Sequence, residues 1–235
     1  GSMALRASGG AVLSLVDGFY LFNFASGATE PLCGISHETA NVRLNDGKVD
    51  RRGRFLAGSM DMTEQSPLGR IYSLTEDHVA AQIGDGITVT NGPCWSPDGK
   101  IFYVSDSAQK TIWAYDYDLT TGQATNKRIF YSFGPEDGLP DGATVDAEGF
   151  VWSAGVFAGK IYRFAPDGRR VLTIDLPVVC GTSVMFGGKN LDRLYVTSML
   201  RPTLPGVVET GVMAGSVFVI DGLGTKGLPE SRYAG

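Results

Sequence analysis

Three short polar steps, each closed by glycine, recur along the chain: Asn45-Asp46-Gly47, Asn91-Gly92 and Asp141-Gly142. A fourth, Thr182-Ser183, keeps the polarity without the glycine. Such side chains offer oxygen. Brought to one point, the oxygens of Asp46, Asn91, Asp141 and Thr182, with Asn45 beside them, suit a hard divalent cation such as Ca²⁺ or Mn²⁺. Arg43 adds a guanidinium that can hold an anionic or polyhydroxy ligand over the same place. A single Asn-Gly or Asp-Gly pair is most simply a turn. Here the shared position, at the start of a strand, argues for more. Asp98-Gly99 and Asp167-Gly168 read as ordinary hairpin turns, and Asp50 and Asp146 as caps of the turns they precede.

The elements that must position these residues are strands. Each step is followed by a tight turn ending in glycine and then by an aromatic, β-branched run such as Lys100-Ile101-Phe102-Tyr103-Val104 or Phe150-Val151-Trp152. A further strand follows each time, as in Lys110-Thr111-Ile112-Trp113 and Gly159-Lys160-Ile161-Tyr162. The units begin near residues 45, 91, 141 and 182, a period of about 40–50 residues that matches a four-stranded propeller blade. In a propeller the first strand of every blade lines the central channel, so equivalent positions meet around the axis. The fold expected from the repeat is an all-β propeller with four recognisable blades and an earlier, incomplete first blade. The stretch from Gly10 to Phe24 reads as the outer hairpin of that blade, with its inner strands missing. Gly1-Ser2-Met3 reads as a tag remnant and initiator Met, leaving residues 4–235 as a single domain.

Composition narrows the function classes. The chain has 235 residues, 43% hydrophobic and 19% charged, and 32 glycines, about twice the roughly 7% average usage. A net charge of −5 without a basic block disfavours nucleic acid and anionic membranes as partners. Three well-spaced cysteines, Cys33, Cys94 and Cys180, read as buried thiols of a reducing, cytoplasmic compartment. Two histidines, His37 and His78, exclude a three-His zinc site. Neither a Gly-x-Ser-x-Gly elbow nor a phosphate-binding loop occurs. Trp95, Trp113 and Trp152 sit in the strand repeats and read as blade packing.

In order, Arg43-x-Asn45-Asp46-Gly47-Lys48-x-Asp50-x-x-Gly53, Asn91-Gly92-x-x-Trp95-Ser96-Pro97-Asp98, Tyr103 with Asp106-Ser107, Pro140-Asp141-Gly142, Thr182-Ser183-x-x-Phe186-Gly187-Gly188 and Lys226-Gly227-Leu228-Pro229-Glu230 form a specific set. The set resembles the senescence-marker protein, gluconolactonase and luciferin-regenerating-enzyme family, over nearly the whole chain. The resemblance implies a six-bladed propeller with one divalent ion (Ca, Zn, Mn or Mg) on its axis, and hydrolysis of sugar lactones to aldonic acids. It implies Asn91 and Asp141 as metal ligands and Arg43 and Asn45 as substrate contacts, and in metal-assisted hydrolysis Asp141 is the expected general base as well. The loops from Asp61 to Leu68 and from Leu200 to Val212 are expected to set specificity. One departure stands out. The family's third ligand, a glutamate in a Glu-Gly-Pro-x-Trp motif of the first blade, has no counterpart motif here, and the sequence leaves open whether Glu38 or a partner chain replaces it. A damaged ligand set supports an alternative, a catalytically impaired propeller that binds a metal or ligand. An open ring would also invite self-association through its edge.

Overall fold

A computed structural model describes residues 1–235 except Glu38, Thr210 and Gly211. Its nineteen named strands form five antiparallel sheets, each wound outward from an innermost strand. The first blade holds β1 (Ser2–Leu5), β2 (Ala11–Ser14), β3 (Gly18–Phe22) and β4 (Thr29–Gly34). The second holds β5 (Val42–Val49), β6 (Phe55–Asp61), β7 (Gly69–Leu74) and β8 (Ala80–Ile87). The third holds β9 (Thr90–Trp95), β10 (Ile101–Asp106), β11 (Thr111–Tyr117) and β12 (Ala124–Ser132). The fourth holds β13 (Leu139–Val145), β14 (Val151–Val156), β15 (Lys160–Phe164) and β16 (Arg170–Asp175). The fifth has three strands, β17 (Gly181–Gly187), β18 (Arg193–Ser198) and β19 (Val217–Ile220).

The all-β propeller expected from the repeat is present, but its blade count is corrected. The molecule is five-bladed, and its first blade is not missing its inner strand. Ser2 and Met3, set outside the fold on sequence grounds, belong to β1, which pairs with β2 from Ser2↔Ser14 to Leu5↔Ala11. The repeat did not reveal β1 because that strand is regular and carries no glycine step. After β19, residues 221–235 form no further named strand. They run as a strap instead. Lys226 accepts from Ala147 through its carbonyl, Arg51 donates to the Pro229 carbonyl, and Tyr233 pairs with the backbone of Leu5 and Ala7. Tyr233 is fully buried and its hydroxyl donates to the Thr75 carbonyl.

The innermost strands pack in chain order, β1 on β5, β5 on β9, β9 on β13 and β13 on β17. An apolar core fills each gap between successive blades. Phe19, Leu44, Phe55 and Leu74 join the first two blades, and Leu56, Ile87, Trp95 and Phe102 join the next pair. Cys94, Tyr103, Val151 and Phe164 follow, and Trp152, Ile161, Val184 and Leu194 complete the series. Trp95 stacks on Phe102 at 4.9 Å and Trp152 meets Phe186 edge-on at 5.7 Å, so these tryptophans serve packing as expected. The three cysteines are free thiols. Among the described residues no helix is long and apolar enough to cross a membrane.

Candidate functional site

The glycine steps turn out to be bulges inside strands, not the openings of strands. In β5 the pairing with β6 jumps between Leu44↔Ser59 and Gly47↔Ala57, leaving Asn45 and Asp46 as the irregular residues. In β9 the jump lies between Asn91↔Ser105 and Cys94↔Tyr103, at Gly92-Pro93. In β13 it lies between Pro140↔Gly155 and Ala143↔Ser153, at Asp141-Gly142. In β17 Thr182 is the extra residue. A bulge places an additional residue on one strand and re-aims its side chain, which is why bulges collect at functional sites. Gly92 shows why glycine follows. It has φ +55°, and a Cβ there would lie 2.5 Å from the Asp141 carbonyl oxygen.

The bulges bring four of the expected residues into one connected group. Arg43 Nη1 donates to Asn45 Oδ1 at 2.8 Å and to the Leu44 carbonyl at 2.9 Å. Asn45 Nδ2 donates to Asn91 Oδ1 at 2.8 Å and to the Thr90 carbonyl at 2.9 Å. Asn91 and Asp141 line a cavity of about 450 Å³. Asn45 is linked to that cavity by its hydrogen bond to Asn91, and Arg43 by its hydrogen bond to Asn45. Both loops expected to set specificity border it, the first through Met62 to Gln65 and the second through Thr203, Leu204 and Pro205. Asp61 holds the first loop in shape. Its carboxylate accepts from the Thr63 hydroxyl at 2.7 Å and the Ser66 amide at 2.9 Å, and these bonds hold its pKa down at about 2.

Two equivalent positions serve otherwise than expected. Asp46 spends its carboxylate oxygens on the Gly47 and Gly92 amides, both at 2.8 Å, tying the second blade to the third. Thr182 shares a hydroxyl hydrogen bond with Thr197 at 2.8 Å, within its own blade. Sequence reasoning gave no role to Ser107, which lines the cavity and bonds to Asn91. It lies beyond β10, outside the repeated inner strand, so periodicity gave no signal for it. Asp106 beside it accepts from the Thr88 and Val89 amides and braces the approach to β9.

The electrostatics favour a cation. Burial is the main force raising the Asp141 carboxyl to about 8, and the charge of Asp46 adds to it. Burial also raises Asp46, against the pull of its two amide hydrogen bonds. A desolvated carboxylate beside a second one, next to an amide oxygen, is a donor set that a hard divalent ion fits. The set is small. Among the described residues no three His, Cys, Asp or Glu side chains gather as a metal-binding group. The first blade's inner strand, Ser2-Met3-Ala4-Leu5, offers no carboxylate, and the Ser2 hydroxyl is paired with Ser14. Glu38 lies outside the described residues.

Comparisons with known proteins agree with this architecture. Residues 1–200 match the SMP-30/Gluconolactonase/LRE-like region. Regucalcin of Homo sapiens is 40% identical over 241 residues, spanning 100% of this chain and 80% of its own length. A luciferin-regenerating enzyme superposes with a TM-score of 0.88 at 29% identity, over 99% of this chain and 80% of that one. A calcium-binding protein, regucalcin of Agrobacterium tumefaciens, superposes with a TM-score of 0.89 at 25% identity, over 98% and 78%. On the match over residues 1–200 and on this identity along the whole chain, the protein belongs to the SMP-30/gluconolactonase/LRE-like family.

Proposed function

We propose that the chain hydrolyses sugar lactones to aldonic acids with the help of one divalent cation. One observation carries the reading: Asn91, next to the β9 bulge, and Asp141, within the β13 bulge, come from the inner strands of adjacent blades and line one cavity bordered by the 61–68 loop and by residues 203–205. Asn91 and Asp141 are the residues that would hold the cation. When bound, such an ion supplies Lewis-acid polarisation of the lactone carbonyl. Asp141, the carboxylate lining that cavity, takes the proton of the attacking water. Asn45, held by Arg43, donates toward Asn91 and orients the polar side of the site, and Arg43 and Asn45 together contact the sugar hydroxyls. Thr63 and Gln65 add polar atoms and Leu204 an apolar edge to the same cavity.

The test is turnover of glucono- and arabinono-lactones, followed by acid release, with added Mn²⁺, Zn²⁺, Ca²⁺ or Mg²⁺. Asn91→Ala and Asp141→Ala should each abolish the cation-dependent rate. Variants as active as the parent would refute the assignment. The lack of a carboxylate on the first blade's inner strand, Ser2–Leu5, favours a second reading, a propeller that binds a cation or ligand without turnover. A melting temperature raised by Ca²⁺ or Mn²⁺, with no acid released from any lactone, would decide for it.

Self-association is a further proposal, supported by apolar side chains exposed on the two terminal blades: Met3 and Leu5 on β1, and Met185, Val217 and Val219 on the fifth. Sedimentation across a concentration series tests it, and a monomer at every concentration rejects it.

A further inference from the structure

The side chain of Asn91 has two chemically different ends on one planar amide, and only Oδ1 can serve a cation or accept from a ligand. Which end faces where is decided by the partners. Here the partners form one chain of hydrogen bonds. Arg43 Nη1 donates to Asn45 Oδ1, Asn45 Nδ2 to Asn91 Oδ1, Asn91 Nδ2 to Ser107 Oγ, and Ser107 Oγ to the Pro140 carbonyl. The last two distances are 2.8 and 2.5 Å. The chain thus crosses from the second blade through the third to the fourth, and ends on the residue before Asp141.

Its two termini give it a direction. Arg43 can only donate, which forces Oδ1 of Asn45 toward the guanidinium and Nδ2 toward Asn91. The Pro140 carbonyl can only accept, which takes the single hydroxyl proton of Ser107. A hydroxyl whose proton is committed has only lone pairs left for Asn91, and these accept solely from Nδ2. Reversing the Asn91 amide would set Oδ1 against the Ser107 lone pairs and Nδ2 against Nδ2 of Asn45. Ser107 is 6% exposed, so water does not readily replace a lost partner. With Nδ2 committed, the second lone pair of Oδ1 is what Asn91 has to offer the cavity.

We infer that Ser107 is a positioning residue that fixes the Asn91 amide with its oxygen available to the site, acting through Asn91 and not on the substrate. Part of the consequence rests on the cation reading above, and part does not. In the cation-free protein, the Asn91 side-chain amide protons, identified by their loss in Asn91→Asp, should give a dispersed, slowly exchanging NMR pair with contacts to the Ser107 Hβ protons. Ser107→Ala should collapse that dispersion and speed exchange. Amide signals unmoved by Ser107→Ala would overturn the inference.

The second arm measures Mn²⁺ affinity by titration. Ser107→Ala should weaken it about tenfold, the lower end of what removing an outer-sphere orienting group costs. In the Asn91→Asp background the same change should cost less than about twofold, because a carboxylate presents oxygen at either end. Equal losses in both backgrounds would mean a general structural role and reject positioning. The Asn91→Asp pair also controls for damage to the fold. If the parent protein binds no Mn²⁺ while the amide arm behaves as stated, the cation reading falls and the positioning role stands.

Discussion

Aspartates stand at two levels of the inner strands, half-buried Asp46 and Asp141 within them and fully buried Asp50 and Asp146 just past their ends, and the two sets are treated in opposite ways. At the hairpin end, Asp50 accepts from the Arg52 and Arg54 amides, from the Tyr117 hydroxyl at 2.7 Å and from the Arg54 guanidinium at 2.8 Å. Asp146 accepts from the Glu148 and Phe150 amides, from Trp152 Nε1 and from Arg163. Each carboxylate there has a full set of donors and a cation. At the bulge end, Asp46 has two backbone amides, and Asp141 is raised to about 8 by burial and by Asp46. A carboxylate with every lone pair satisfied is a rivet for a turn. One left desolvated beside another negative charge costs stability, and such cost marks groups kept for binding or chemistry.

The largest effect should come from breaking a rivet. Asp146→Ala leaves the Trp152 indole N–H without its acceptor and the Arg163 guanidinium with the exposed Glu148 as its remaining ion-pair partner, and should lower unfolding free energy in urea by about 3–5 kcal/mol. A loss below about 1 kcal/mol would erase the distinction between the two levels.

The opposite sign is expected at the bulge. Asp141→Asn should stabilise the cation-free protein at pH 7, on the order of 2–4 kcal/mol, while removing hydrolysis. Because the folded pKa exceeds the unfolded one, the linked stability is full below pH 3.8 and drains away as pH rises toward about 8. Melting curves of chelator-treated protein across that range should slope downward, and Asp141→Asn should flatten the slope.

A smaller effect sharpens the contrast. Tyr117→Phe removes one donor from Asp50 and should cost about 1–2 kcal/mol by chemical denaturation, leaving lactone turnover per folded molecule unchanged. The smallest concerns Asp61, whose depressed pKa gives stability that is present above pH 3.8 and lost as pH falls through about 2. Asp61→Asn should shallow the acid limb of the stability profile, read by circular dichroism.

The repeat was legible because a bulge on an inner strand needs the same residues each time, a polar side chain and a glycine behind it. Periodicity therefore exposed Asp46, with Asn45 beside it, Asn91, Asp141 and Thr182 as one set, though Asp46 and Thr182 serve other contacts. The turn-capping role of Asp50 and Asp146 was legible too, since an aspartate ahead of a glycine turn satisfies local amides. The first blade was misread. Its inner strand, Ser2–Leu5, has no bulge, and a four-residue regular strand carries no signature of its own.

By itself, the sequence determined the propeller class and the recurrence of the polar steps on successive inner strands, because these follow from local turn chemistry repeated at blade spacing. Only the tertiary structure decided the count of five blades, the use of residues 221–235 as a strap, and the separation of carboxylates paired with a guanidinium from those left without one. It alone brought Ser107 to Asn91, sixteen residues away on a different turn. Hydrogen-bond partners and desolvation depend on which strands stand side by side in space, and that is information a linear pattern of residues does not hold.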